Sequence, residues 1–333
     1  MSVTSTLDRF QQRHRWAGLP LAVLYKFFDD QGNYLAALIT YYAFVSLFPL
    51  LLLLVTILGY ALHGNRELQD EVLNSALSQF PVIGDQLRNN IHQLHGKVLA
   101  LVVGILGSLY GGLGVAQASQ NAMNKVWAVP RNARPNPLKA RGISLLLLLI
   151  VGGGVIATTV LSALTTGAGA YGTNLGAGSR VLTTVVAVAV NALLFMLAFR
   201  VMTAGDITIQ QVRPGALAAA VLWQGLQEVG TYYVGHELKG ASATYGVFGL
   251  VLGLIAWIYL GALGLVLCAE YNAVRAKRMW PRSLLTPFTD AVQLTAGDRR
   301  AYRSYPVTEK HKGFERVRVD FDQHEGQSEE SDR

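Results

Sequence analysis

Two groups of polar side chains interrupt long apolar stretches, and their types and spacing could support chemistry. The first group is Tyr42, Ser46 and Pro49. Tyr42 and Ser46 are four residues apart, so they would share one face of a helix. Pro49 lacks a backbone N–H and would open the preceding turn, which frees a carbonyl oxygen. A polar strip facing a cavity and an interfacial tyrosine beside a tolerated proline are equally good interpretations.

The second group is Gln224, Gln227, Glu228 and Tyr232. A carboxylate inside a membrane span costs about 2.5–3.5 kcal/mol on insertion scales, so it is expected to face a cavity or a partner. Glu228 could there hold a proton, a cation or a basic substrate group. Protonation, burial against Gln and Tyr, or a position near the helix end would satisfy it without any function. Both groups together are the candidate pathway residues.

Three further polar residues are predicted to form a structural latch: Asn121, Glu270 and Asn272. Glu270 is expected to pair with Arg275 or with a basic residue in the connection between the second and third apolar runs. His92 and His95 lie three residues apart but have no third ligand nearby, and the single cysteine, Cys268, excludes a Cys-based zinc site. The sequence therefore predicts neither a metal nor a cofactor.

The elements that carry these residues are long and apolar. Of the 333 residues 51% are hydrophobic and only 15% are charged, against about 25% charged residues in ordinary soluble domains. A spanning helix needs roughly 20 mostly apolar residues. Six runs meet this requirement: Leu35–Leu62, Val98–Gln120, Ile143–Leu164, Val181–Phe199, Pro214–Val234 and Gly246–Ala269. We therefore expect an all-α polytopic membrane protein with six transmembrane helices.

The basic residues predict the orientation of these spans. Most of the 28 Lys and Arg residues lie in the two terminal segments and in the connections between runs two and three and between runs four and five. Cytoplasmic loops carry this excess, so both termini are predicted to be cytoplasmic. The formal net charge of +7 is then explained by attraction to anionic lipid heads. It requires no nucleic-acid partner.

The chain is expected to have three parts. Residues 1–34 form a cytoplasmic segment with an interfacial helix over Pro20–Asp30, and residues 35–271 form the transmembrane domain. Its loop 63–97 is predicted to form two short amphipathic helices, broken at Pro81, that cap the outer face. The tail, residues 272–333, begins basic and ends acidic, and we expect it to be largely disordered beyond about residue 300.

Several short motifs follow one another in order along the chain. They are Thr40–Pro49, Asn121–Trp127, Gly215-Ala216-Leu217 with Trp223, Tyr245-Gly246, Trp257-Ile258-Tyr259 and Ala269-Glu270-Tyr271-Asn272. Through them the chain resembles the YihY/BrkB family, once labelled ribonuclease BN, over roughly residues 20–280. The resemblance implies a bacterial inner-membrane protein of six helices, and it suggests a lipid or solute transporter.

Three functions are therefore weighed. The favoured one is a transporter or translocase of a lipid or amphipathic solute in cell-envelope biogenesis. The alternative is a non-transporting scaffold or assembly factor, because the glycine-rich helix faces, such as Gly107 and Gly111, also suit tight packing. These faces are also compatible with a homo-oligomer. A ribonuclease is least favoured, since no cytoplasmic carboxylates and histidines show compact metal-binding spacing. No enzyme activity is predicted.

Overall fold

The structure, a computed structural model, describes residues 3–61, 98–170, 177–233, 239–290 and 292–321. Within these ranges the chain is all-helical. The helices are α1 (Val3–Arg13), α2 (Arg15–Asp29), α3 (Gly32–Ala61), α4 (Val98–Val126), α5 (Pro137–Ala170), α6 (Ala177–Met202), α7 (Ile209–Tyr233), α8 (Lys239–Ala276) and α9 (Ala296–Thr308). A single 3-10 turn, Arg131–Ala133, lies between α4 and α5.

Each of the six apolar runs lies within one of the helices α3 to α8, apart from the terminal residues Leu62 and Val234, which lie outside the described residues. Among the described residues, three stretches are long and apolar enough to cross a membrane: Pro137–Gly154, Thr184–Met202 and Val251–Ala276. The predicted outer-face loop 63–97, with Pro81, lies outside the described residues.

Helix α8 is the centre of the bundle. It packs against α2, α3, α4 and α7, while α3 packs along α4, and α6 packs against both α5 and α7. The buried core contains many alanines, among them Ala122, Ala216, Ala262 and Ala273. Small side chains let helix backbones approach closely, which favours association inside a bilayer, where helices gain little from the hydrophobic effect.

Helix α2 is longer than the predicted interfacial helix. It begins at Arg15 and contains Pro20 in its interior. Leu19, Ala22 and Val23 are buried against residues from the end of α8, from the segment that follows it and from α9. The opposite side exposes Leu24 and Phe28. One face of α2 is therefore covered by the protein itself.

The tail differs from the expected disorder, because residues 292–321 are described and include helix α9. A reciprocal capping box closes the start of α9: the Thr295 hydroxyl accepts from the Asp298 backbone N–H, and the Asp298 carboxylate accepts from the Thr295 backbone N–H. The same carboxylate pairs with the buried Arg282, 2.8 Å from its Nε. Polar anchoring, which a hydrophobicity pattern does not show, holds this segment.

Arg282 joins the tail to the N-terminal helices. Its Nη1 lies 2.9 Å from the carboxylate of Asp29, and the Gln11 side chain donates to its backbone carbonyl at 2.5 Å. Burial alone would lower the pKa of Arg282, but Tyr305, Asp298 and Asp29 outweigh it and raise that pKa. The arginine therefore remains charged, and it connects α2 to α9.

Candidate functional site

The first predicted pathway group lies in a tight helix contact. Tyr42, Ser46 and Pro49 of α3 face a row of glycines on α4. A Cβ atom built at Gly111 would lie 2.3 Å from the Ser46 Cβ and 2.6 Å from its Cα. Likewise, a Cβ at Gly114 would lie 2.2 Å from the Tyr42 ring and one at Gly107 would lie 2.7 Å from Pro49. The glycines are thus what allows α3 and α4 to touch here.

The first group therefore takes part in helix packing, and its role in a transport pathway remains a prediction. The Ser46 hydroxyl donates to the Ala43 carbonyl, 2.9 Å away in its own helix, and so has an intrahelical partner. Pro49 lies inside α3, which continues to Ala61. The three side chains are half-buried between two helices.

The second predicted group lies on another helix, α7, which packs against α6 and α8. Glu228 is exposed on the bundle surface and accepts a weak 3.4 Å hydrogen bond from Gln224. Gln227 is half-buried. The Tyr232 side chain lies outside the described part of the chain. The two pathway groups therefore occupy different helix contacts, and the structure does not bring them together.

Two residues of the third group, by contrast, are deeply buried. Glu270 and Asn272 are fully enclosed near the end of α8. The Glu270 carboxylate forms an ion pair with the buried Lys26 of α2, with 3.1 Å between Oε2 and Nζ. Lys26 also pairs with Asp30, four residues on. The partner of Glu270 is thus a lysine from the N-terminal segment rather than Arg275 or a basic residue between α4 and α5.

Lys26 is a functional candidate that the sequence reasoning missed. It occupies the apolar stripe of α2, between Val23 and Phe27, and is 1% exposed. Burial alone would lower its pKa, but the carboxylates of Glu270 and Asp30 outweigh that effect and raise the pKa above its ordinary value. A lysine at helical spacing within an apolar stripe, followed by an acid four residues later, was the available signal.

A second lysine faces the same cluster. Lys277 follows α8 directly and donates to the backbone carbonyl of Trp127, just after α4. Burial, reinforced by the nearby charge of Lys26, lowers the pKa of Lys277 to about 8, although Asp30 and Glu270 act in the opposite direction. Lys26, Asp30 and Glu270 thus pair between α2 and α8, and Lys277, which joins the end of α8 to the end of α4, lies near enough for their charges to shift its pKa. We call Lys26, Asp30, Glu270 and Lys277 the charged junction.

Asn272 joins α8 to the beginning of α7. Its Oδ1 accepts from the Gly215 backbone N–H at 2.7 Å, and its Nδ2 donates to the Val212 carbonyl at 3.1 Å. A Cβ at position 215 would lie 2.3 Å from the Cys268 carbonyl oxygen and 2.4 Å from Asn272 Nδ2, so only glycine allows this approach. Two of the sequence motifs thus meet in space.

Asn121, the remaining latch residue, lies in a polar cavity of about 250 Å³ at the end of α4. Gln117, Gln120, Asn124 and Arg134 also line it. Gln120 donates to the Ser144 hydroxyl at 2.9 Å, and Asn124 accepts from the Ala204 backbone at 2.8 Å. These two residues position α4, whereas the exposed Gln117 and Asn121 present their amides to the cavity.

Metal-binding side chains do not cluster in the part of the chain that the structure describes. Across the described ranges, no three His, Cys, Asp or Glu side chains gather in a group that could hold a metal ion. His92 and His95 lie outside those ranges. Asp298, one of the tail carboxylates, is occupied by Arg282 and by the cap of α9.

Comparison with known proteins gives matches over most of the chain. The sequence model of a family described as Virulence factor BrkB matches residues 23–289. YhjD, an inner membrane protein of Escherichia coli, is 25% identical over 300 residues, which cover 84% of this chain and 87% of YhjD. YfkH of Bacillus subtilis, named as ribonuclease-like, is 25% identical over 263 residues, covering 74% of this chain and 91% of YfkH. No solved structure matches.

Proposed function

The chain belongs to the virulence factor BrkB family, and we propose that it moves a lipid or another amphipathic solute across the bacterial inner membrane during cell-envelope biogenesis. The E. coli relative is named as an inner membrane protein, and the described helices include three apolar enough to span a bilayer. Transport itself is our inference. A non-transporting scaffold is the alternative.

The proposal includes a six-span topology with both termini in the cytoplasm. Helices α3 to α8 each contain one of the six apolar runs, which supports six crossings. Arg131 and Arg134 lie in the short connection after α4, and Lys139 and Arg141 lie in the first turns of α5. Such basic segments favour the cytoplasmic side. In this arrangement the charged junction and the polar cavity lie at the cytoplasmic ends of the helices.

The polar cavity at the end of α4 is the observation that carries the proposal. An amide side chain has two N–H donors and an acceptor oxygen, so at the cytoplasmic end of a bundle it can bind water or the polar groups of a cargo. Gln117 and Asn121 are four residues apart on one helix face and line this cavity. Their amides can bind the polar part of a cargo, while the apolar helix surfaces can accommodate its hydrocarbon part.

A reconstituted flux assay tests the proposal. The full chain is placed in liposomes that contain a fluorescent phospholipid, and movement between leaflets is followed by quenching with dithionite. We expect faster exchange than in protein-free liposomes, and a loss of about tenfold or more when Gln117 and Asn121 are both changed to Leu. The matched control is the pair Gln210→Leu and Asp206→Asn, which are exposed outside the cavity.

Several outcomes would overturn this assignment. Exchange equal to that in empty liposomes, together with no flux of any soluble amphipathic probe, would favour the scaffold. An equal loss of lipid exchange in the control pair would show that the cavity has no specific role in transport. RNA cleavage by highly purified protein, abolished by a point substitution, would favour the nuclease suggested by the name of YfkH. Glu228→Gln in the same assay tests the second pathway group, which remains a prediction.

A further inference from the structure

A second, larger cavity, open to the surface, lies where the N-terminal helices meet the end of α8. Its volume is about 650 Å³. The residues that define its chemistry are Arg13, Arg15, Trp16, Leu19, Tyr271 and Arg275. It is separate from the polar cavity of α4 and shares none of its lining residues.

The charge of this cavity is strongly positive. Three guanidinium groups, those of Arg13, Arg15 and Arg275, line it. Across the described residues, no Asp or Glu forms an ion pair with any of them. Nearby acids are occupied elsewhere: Asp8 accepts from Gln11, and Glu270 pairs with Lys26. The cavity therefore lacks a counter-charge of its own.

Arginine is the residue best suited to compensate a phosphate. Its planar guanidinium donates two parallel hydrogen bonds to a phosphate group, and these charge-assisted bonds are stronger than neutral ones. Arg15 is oriented by the Trp280 ring, whose centroid lies 5.4 Å from the guanidinium carbon. Three positive groups around one cavity repel one another, so the cavity is suited to binding an anion.

The remaining wall of the cavity is apolar and indicates the kind of molecule to which the phosphate belongs. Trp16 is 71% exposed, and Leu19 lies beside it. Tryptophan is enriched where a membrane meets water, with its ring at headgroup level. A free phosphate would gain nothing from this wall, whereas the glycerol and first methylenes of a phospholipid would contact it.

The position along α8 agrees with headgroup depth. The apolar candidate span of this helix ends at Ala276, so Tyr271 and Arg275 lie in its last turns. Cationic side chains at the end of a span lie near the lipid phosphates. An anionic lipid at the membrane edge could therefore reach the cavity without leaving the bilayer.

From these observations we propose that the cavity between α2 and the end of α8 binds the phosphate of an anionic phospholipid headgroup. Arg13, Arg15 and Arg275 hold the phosphate, and Trp16 and Leu19 contact the adjacent apolar part of the lipid. This site is independent of the transport proposal, since a scaffold could use it equally well to fix its N-terminal helices at the membrane surface.

Native mass spectrometry of the full-length protein in detergent tests the site. Phosphatidylglycerol and phosphatidylcholine are titrated separately, and the apparent Kd of the first bound lipid is measured. We expect phosphatidylglycerol to bind at least about tenfold more tightly. The double variant Arg13→Gln/Arg275→Gln should lose about tenfold or more of that affinity, because each basic residue near the surface contributes measurably to binding of anionic lipid. The control is Arg213→Gln/Arg318→Gln, two exposed arginines outside the cavity.

Two further arms distinguish the source of the phosphate. Trp16→Ala should weaken phosphatidylglycerol binding, and inorganic phosphate at the lipid's own concentration should not displace the lipid. Displacement by inorganic phosphate would assign the cavity to a soluble phosphate and overturn the lipid assignment. Equal affinity in the double variant and in the wild type, with unchanged thermal unfolding, would overturn the site itself. A loss of affinity in the control as large as in the double variant would show that the lipid binds only through nonspecific surface charge.

Discussion

The contact between α3 and α4 and the charged junction hold the same bundle together by opposite means. In the first, the glycines on α4 have no side chains, so Tyr42, Ser46 and Pro49 can approach the helix closely. In the second, Lys26 and Glu270 bring two buried charges together. Packing of the first kind depends on spacing within one helix. Pairing of the second kind depends on residues from opposite ends of the chain.

Substitutions in the two regions should lower the free energy of unfolding by different amounts. A buried ion pair is weak support for stability as a pair, but removal of one partner leaves an uncompensated buried charge and costs about 3–5 kcal/mol. A glycine contact fails more gradually, because a small added side chain can be accommodated by a shift of one helix. This contrast can be measured one residue at a time.

The largest effect is expected from Lys26→Met. The substitution keeps an unbranched side chain in the apolar stripe of α2 but leaves the carboxylates of Asp30 and Glu270 without their shared cation. We expect a loss of about 3–5 kcal/mol in the free energy of unfolding, measured in mixed detergent micelles. Lys139→Met, at an exposed position, should change it little. Equal effects of the two variants would show that the junction does not need its charge.

A smaller, pH-dependent effect is expected from Lys277→Met. The pKa of Lys277 is lowered to about 8 in the folded protein, mainly by burial, from an ordinary 10.5. Below pH 8 both states carry the proton and the folded state bears the full cost of a buried charge. Between pH 8 and 10.5 the folded state releases it first, so this residue's contribution makes the protein more stable as pH rises.

The variant removes that dependence. Its stability relative to the wild type should therefore be highest below pH 8 and should fall by at most about 3 kcal/mol as the pH approaches 10.5. The comparison cancels contributions from Lys26, Asp30, Glu270 and the tyrosines that do not change with the substitution. A difference that is flat across this range would contradict the buried position of Lys277.

The glycine contact should respond less strongly. In Gly111→Ala the new methyl group would meet both the side chain and the backbone of Ser46, so α3 and α4 must separate. We expect a loss of about 1–3 kcal/mol by the same unfolding measurement. Gly152→Ala on α5 is the matched control, because nothing lies within 4 Å of its new methyl group. That control should be neutral or slightly stabilising.

The smallest effect is expected at an exposed pair on the surface. Arg131 and Glu309 lie 2.9 Å apart, but their side chains are 51% and 62% exposed. Water and salt screen such a pair, so Arg131→Gln should cost less than about 1 kcal/mol. A loss as large as that of Lys26→Met would mean that burial is not what separates the two kinds of ion pair.

Much of the helical architecture could be predicted from the sequence, because long apolar runs reveal helices without knowledge of their neighbours. The glycine contact was visible as a spacing of Gly107 and Gly111, although its partners on α3 were interpreted as a possible pathway. The partner of Glu270 could not be predicted, since Lys26 is distant in sequence and its place in an apolar stripe indicates burial without indicating which residue it meets. The structure of residues 292–321 was missed for a related reason: Arg282 and Asp298 stabilise this part of the tail by hydrogen bonds, which leave no hydrophobic pattern.

The measurement that most directly tests the account is the side of the membrane on which the charged end of the bundle lies. The only cysteine, Cys268, is buried, and Cys268→Ala gives a background for single-cysteine labelling. In intact cells, a membrane-impermeant maleimide should leave Ala133→Cys, in the exposed turn after α4, unlabelled until the cells are opened. It should label Asn90→Cys, in the predicted outer loop, at once. Labelling of Ala133→Cys in intact cells would contradict the six-span arrangement with a cytoplasmic charged junction.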